Sequence, residues 1–278
     1  MLVAAIAYPQ LTATTRQHVD ALLQRHPNYA EWIRGVEPAE RSRTAFIKAA
    51  TWADTIKGDA DYSSNPEHGA TPIRNIGYDD TQQHRQWHYI NLPFTPDHTP
   101  LPAATSPNLK TQISALRYAL QTPSTSVDTQ SYSLVWLLHL VADAHQPLHA
   151  TSRFSHEYPR GDQGGNAVIL CEHSCNQNLH EYWDRALGTT RKPRTIVRMA
   201  ANYPAADLRR AAMTDEVIWL QESAEISQHQ VYAAPVGNAA SSITLSKNYK
   251  STAREIARTQ ASIAGARLAS LLNRLLGR

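Results

Sequence analysis

Residues 137–149 read LLHLVADAHQPLH. The first part is apolar apart from His139 and Asp143, four positions apart. In a helix that spacing places both side chains on one face, one turn from each other. A lone carboxylate on an apolar helix is costly to bury. A divalent cation would offset the cost, and so would a hydrogen-bonded His–Asp pair in the core. Pro147 ends the helix and swings His149 away from the first pair. Residues 178–184, NLHEYWD, repeat the spacing with His180 and Asp184. Two His-x-x-x-Asp pairs and one further histidine form a zinc-type donor set. Their joint occurrence favours metal over two unrelated core pairs.

Working outward, residues 12–26 have a capping Thr12 and Val19, Leu22 and Leu23 at helical spacing, and Pro27 stops them. A second helix is expected over 38–57, with Phe46, Ala49, Ala50 and Ala53 inside and Gly58 as its stop. Residues 58–84 look loop-like and 86–94 extended. Helices are predicted over 109–121, 130–145, 179–187, 214–232 and 249–276, and a strand over 166–171. Trp52-Ala53-Asp54 falls at a helix end and Trp87-His88-Tyr89 in the extended stretch. Taken alone, each of these two also fits core aromatic packing. No repeat or linker divides the chain, so residues 1–278 are expected to form one mainly α domain.

The composition permits a folded core, with 42% apolar and 18% charged residues. A net charge of +3 permits an acidic substrate without indicating a surface that coats nucleic acid. No run of eighteen apolar residues is present to span a membrane. Among thirteen histidines, His18, His26, His68, His98 and His229 sit among polar neighbours and are read as surface imidazoles. Cys171 and Cys175 suit a local disulfide in an oxidising compartment; two free thiols are the other option.

The order WAD (52–54), WHYIN (87–91), HLVADAHQPLH (139–149), GDQGGN (161–166) and NLHEYWD (178–184) resembles the zinc-dependent single-strand nucleases of the fungal S-one/P-one type. The likeness extends to residues 3–23 and 264–273. It implies the mainly helical fold that these nucleases share with bacterial zinc phospholipases C, with a short β-hairpin. It implies that Asp54, His88, His139 and Asp143 hold one zinc, and that His149, His180 and Asp184 hold a second. A third zinc would sit beside the first, bridged by Asp143. Metal-activated hydroxide would attack phosphorus in single-stranded DNA and RNA and leave 5′-phosphate products; 3′-nucleotides are a further substrate. By the same likeness Lys57 contacts the phosphate, joining Asp54 as a catalytic residue. Tyr89 stacks on a base and Asn91 stands where the base edge is recognised. Asn166 lines the same pocket, and His145 supports the site without ligating. Without the resemblance, Lys57 is a helix-end lysine and Asn166 a turn residue.

The family's mature chains begin with a Trp-Gly-x-x-Gly-His-like segment that binds the third zinc. Residues 3–7 correspond to the stretch just after that His, so this segment is missing here. A misplaced start is the preferred account; a truncated chain or a two-zinc site are the others. The third zinc is expected only with that segment present. No signal peptide is visible, and secretion or periplasmic export is expected if the true start lies upstream. The protein is expected to act as a monomer. Competing functions are a zinc phospholipase C acting on lipid head groups and a zinc-binding protein without catalysis.

Overall fold

Short helix α1 (Leu2–Ala7) opens the chain, and capping side chains set where several longer helices begin. Thr12 accepts the Thr15 amide at 3.2 Å and starts α2 (Ala13–Gln24). Helices α3 (Tyr29–Trp32), α4 (Arg41–Ala49) and α5 (Trp52–Thr55) follow. Asn108 and Thr111 form a reciprocal cap at the start of α6 (Leu109–Gln121). Ser126 caps α7 (Val127–Asp143), and Asn178 caps α8 (Leu179–Asp184). Then come α9 (Pro193–Ala200), α10 (Leu208–Ala212), α11 (Glu216–Ile226) and α12 (Lys247–Leu276), the last capped by Ser246. This computed structural model describes residues 1–64, 77–171, 175–237 and 243–277.

The fold is mainly α, as the sequence led us to expect. Helix α7 is its axis: every residue from Ser131 to Val141 is buried. A helix apolar on all sides needs neighbours all round, and α2, α5, α6 and α12 supply them. Helix α1 packs on α12 across Gly265, where an added Cβ would come within 2.5 Å of Ile6. Two small sheets complete the scaffold. Strands β1 (Leu92–Phe94) and β2 (Thr151–Arg153) are parallel, while β3 (Ile169–Leu170) and β4 (Gln177–Asn178) are antiparallel. The second pair is the expected hairpin, and the Cys171–Cys175 disulfide sits at it. Among the described residues, no helix is long and apolar enough to cross a membrane.

Several sequence expectations need correction. The helix expected over 38–57 is not continuous. A 3-10 turn Pro38–Glu40 precedes α4, the chain breaks at Ala50 and Thr51, and a second 3-10 turn Ile56–Gly58 follows α5. The break frees the Ala50 carbonyl, which accepts from His139 Nδ1 at 2.8 Å. The stretch 86–94 is not extended throughout: Arg85–His88 is a 3-10 turn entered from His84 at φ +45°, with Trp87 stacked 3.7 Å from His84. The strand expected over 166–171 shrinks to β3, because Gly164 and Gly165, both at positive φ, lead the chain round a turn first. Helix α8 ends at Asp184, and α11 passes into a π-type turn, Ser227–Val231. Helices α1, α3, α9 and α10 were not anticipated; all have eight residues or fewer, too few for a clear periodicity.

His26 is not at the surface. It is 3% exposed, with Trp32, Trp52 and Tyr78 around it at 4.3, 4.9 and 4.8 Å. His18, His98 and His229 are exposed as expected, and His68 lies outside the described residues.

Candidate metal centre

Three backbone carbonyls orient three of the histidines. His139 Nδ1 donates to Ala50 O at 2.8 Å, His149 Nδ1 to His88 O at 2.6 Å and His180 Nδ1 to Gly164 O at 2.8 Å. A carbonyl only accepts, so each Nδ1 carries a proton, and Nε2 is the atom each ring turns towards the centre. That is the outer-sphere arrangement that prepares imidazole for a metal.

The inward-facing nitrogens converge on carboxylates. His139 Nε2 lies 3.1 Å from Asp143 Oδ2 and 3.7 Å from Asp54 Oδ1. His88 Nδ1 is 3.0 Å from Asp143 Oδ2 and 4.0 Å from Asp54 Oδ1. Donor atoms of Asp54, His88 and His139 all fall within 4.8 Å of one another, and the same holds for His149, His180 and Asp184. In the second triad His149 Nε2 is 3.5 Å from Asp184 Oδ1, and His180 Nε2 is 3.6 Å from Asp184 Oδ2. Asp143 stands between the groups, 3.8 Å from His149 Nδ1.

This donor set fits zinc. His139 Nε2 and His88 Nδ1 are 3.0 Å apart. Two lone pairs at that distance repel unless a cation or a proton lies between them. His88 Nε2 is buried without a hydrogen-bond partner among the described residues, which leaves Nδ1 as the atom that ring offers the cluster. Imidazole nitrogens and carboxylate oxygens in threes are the usual protein share of a zinc site with open positions.

The electrostatics are those of a compensated cluster. Burial would lower the His149 pKa, but the Asp143 and Asp184 carboxylates raise it to about 9. Burial takes His88 down to about 4, with Asp143 only partly opposing. Burial would push Asp143 up, yet His139 and His149 hold it well below the usual carboxylate range.

A cavity of about 550 Å³ opens over the centre, lined in part by Asp54, Lys57, Asp143, His149, His180 and Asp184. Arg185 and Arg191 also line it, whereas His88 and His139 lie buried behind Asp54 and Asp143. Lys57 Nζ is 2.7 Å from Asp54 Oδ1. Tyr89 and Asn91 are half-buried and Asn166 is exposed; none of the three lines this cavity. The Asn166 amide donates to Gln163 O at 2.8 Å within its own turn. His145 does not join the cluster. Its Nδ1 donates to Val141 O, and its Nε2 accepts from Arg267 Nη1 at 3.0 Å. Burial takes its pKa to about 3.

Sequence reasoning missed the supporting groups. Backbone carbonyls leave no signature in residue identity, although the double glycine at 164–165 hinted at one. Gly164 sits at φ +60°, and a Cβ there would come within 2.5 Å of Leu148 O. Only a glycine presents its carbonyl to His180 in that space.

Comparison with known families adds the decisive finding: residues 1–277 match the family described as S1/P1 Nuclease. No curated protein matches the chain. A match of that extent, over a fold that gathers the motif residues into two metal-competent triads, places this chain in the S1/P1 nuclease family, whose activity is that of a nuclease.

Proposed function

We propose that this protein is a zinc-dependent phosphodiesterase. It hydrolyses single-stranded DNA and RNA to 5′-phosphate products, and 3′-nucleotides as well, with the whole chain acting as one domain. The observation that carries the proposal is the shared carboxylate. Asp143 Oδ2 is within 3.1 Å of the inward-facing nitrogens of both His88 and His139. Asp54, His88, His139 and Asp143 would hold one zinc, and His149, His180 and Asp184 another. When bound, zinc lowers the pKa of water towards neutrality and neutralises phosphoryl oxygens.

The chain's own residues supply the rest. Lys57 holds an ammonium at the cavity wall, 2.7 Å from Asp54. It offers the phosphate a point charge rather than a two-pronged fork. Tyr89 gives a base an aromatic face, which favours unpaired strands of any sequence. Asn91 and Asn166 provide amides that both donate and accept, suited to base edges. The disulfide suits an oxidising, extracytoplasmic setting.

The test is to assay one zinc-loaded preparation on single-stranded RNA, single-stranded DNA, a 3′-nucleotide and phosphatidylcholine, with end-group analysis of the products. Nucleic-acid turnover leaving 5′-phosphates is expected. Turnover of the phospholipid alone, or of no diester, would overturn the proposal.

A further inference from the structure

The metal centre has an amide at its edge that neither the triads nor the phosphate chemistry uses. We infer that Gln146 is a positioning residue for the second triad, holding the Asp184 carboxylate in the orientation that His149 and His180 need to share a zinc with it. The inference rests on the zinc assignment proposed above.

Gln146 Nε2 donates to Asp184 Oδ1 at 2.8 Å. The amide cannot be turned round, because its Oε1 accepts the Leu148 amide at 2.5 Å as the cap of the turn Pro147–His149. Its donor end is therefore committed to the carboxylate. The backbone of Gln146 is fixed as well. Its N–H donates to Asp143 O at 3.0 Å, and its carbonyl accepts from His149 N at 3.0 Å. One residue thus ties together Asp143, His149 and Asp184, which come from α7, the turn after it and α8.

Asp184 needs such a tether. It closes a six-residue helix, and its side chain is 45% exposed. A carboxylate that open turns freely unless something holds it, and ordering it on metal binding would then cost side-chain entropy. With Gln146 on Oδ1, the same oxygen stays 3.5 Å from His149 Nε2 and leaves Oδ2 at 3.6 Å from His180 Nε2. Both oxygens are presented before any ion arrives. Outer hydrogen bonds of this kind typically change metal affinity by about 10–100-fold. A glutamate in this place could still cap the turn, but it would have no N–H to give Asp184.

The experiment compares wild type with Gln146→Glu and Gln146→Ser. Glu keeps an acceptor for the Leu148 amide and loses the donor. Ser also keeps a short local acceptor, and its side chain is too short to reach Asp184. Zinc content and the two dissociation constants are measured by competition with a chromophoric chelator, and thermal unfolding is followed in excess chelator. Both variants are expected to hold the second zinc about 10–100-fold more weakly, with a smaller loss at the first and zinc-free unfolding unchanged. Wild-type affinity for both zincs in both variants would overturn the inference. So would a loss of zinc-free stability that accounts for the weakened binding, because Gln146 would then be only a cap. A wild type that binds two zincs, responds to these changes as expected and cleaves no diester would leave Gln146 in its role and overturn the proposed reaction instead.

Discussion

Asp143 Oδ2 lies 3.1 Å from His139 Nε2, one helical turn away on α7. The same oxygen is 3.0 Å from His88 Nδ1, so a single carboxylate charge faces two imidazoles. Asp143→Asn removes that charge from the middle of the centre. We expect it to lower nuclease turnover by at least about 1,000-fold, a loss of several kcal/mol of metal-dependent stabilisation, and to reduce zinc content. Asp184→Asn, at the outer edge of the second triad, should cost less. Metal analysis beside turnover checks both. Wild-type zinc content and normal turnover in Asp143→Asn would remove it from the centre.

Lys57 places its ammonium 2.7 Å from Asp54 Oδ1 at the cavity wall. Lys57→Met should lower kcat on the order of 100-fold, the usual scale for one lost charge-stabilising donor. Zinc content should stay at the wild-type level, and Lys57→Arg should recover much of the rate. If zinc is lost in step with activity, Lys57 acts by holding Asp54 and not by meeting the phosphate.

Tyr89 is half-buried and does not line the cavity over the metal centre. If a base stacks on it, Tyr89→Ala should raise KM for oligonucleotides by about 1–3 kcal/mol in binding while zinc content is unchanged. Unaltered KM on single-stranded substrates would show that the bases lie elsewhere, against residues of the cavity wall.

His26 predicts an acid sensitivity that has nothing to do with the metals. Burial among aromatic rings takes its pKa to about 3, and its Nδ1 accepts the Asn28 amide at 3.0 Å. The folded protein keeps it neutral, while the unfolded chain protonates near the ordinary value of about 6.5. Between those values the unfolded state binds more protons, so stability intact above about pH 6.5 is lost as the pH falls towards 3. The slope reaches about 1.4 kcal/mol per pH unit for one such group. His145, also near 3, acts with the same sign. His26→Phe should flatten the fall of Tm between pH 6.5 and 4. Parallel Tm curves for variant and wild type would exclude His26 as a source.

Much of the centre was legible because helices convert spacing into direction. His139 and Asp143 face one way on α7, and His180 and Asp184 repeat this on α8. The long elements were legible for the same reason, and α6 was predicted to the residue. Short elements and backbone acceptors were not. Nothing in the identity of Ala50 or Gly164 says that its carbonyl meets a histidine. The break at Ala50–Thr51 was hidden because alanine is a strong helix former, and tertiary contact with His139 overrides that preference. His26 was misjudged from its polar sequence neighbours, although the rings that enclose it come from Trp32, Trp52 and Tyr78.

The bond from His149 Nδ1 to the backbone carbonyl of His88 has a mechanical consequence. His88 belongs to the first triad and His149 to the second, so the two share a hinge pin. An ion that draws the His88 ring into place also sets the carbonyl on which His149 turns. Filling one site thus prepays part of the ordering that the other requires. By the reciprocity of linked equilibria the help runs equally in both directions. Zinc held at either site should therefore tighten binding at the other.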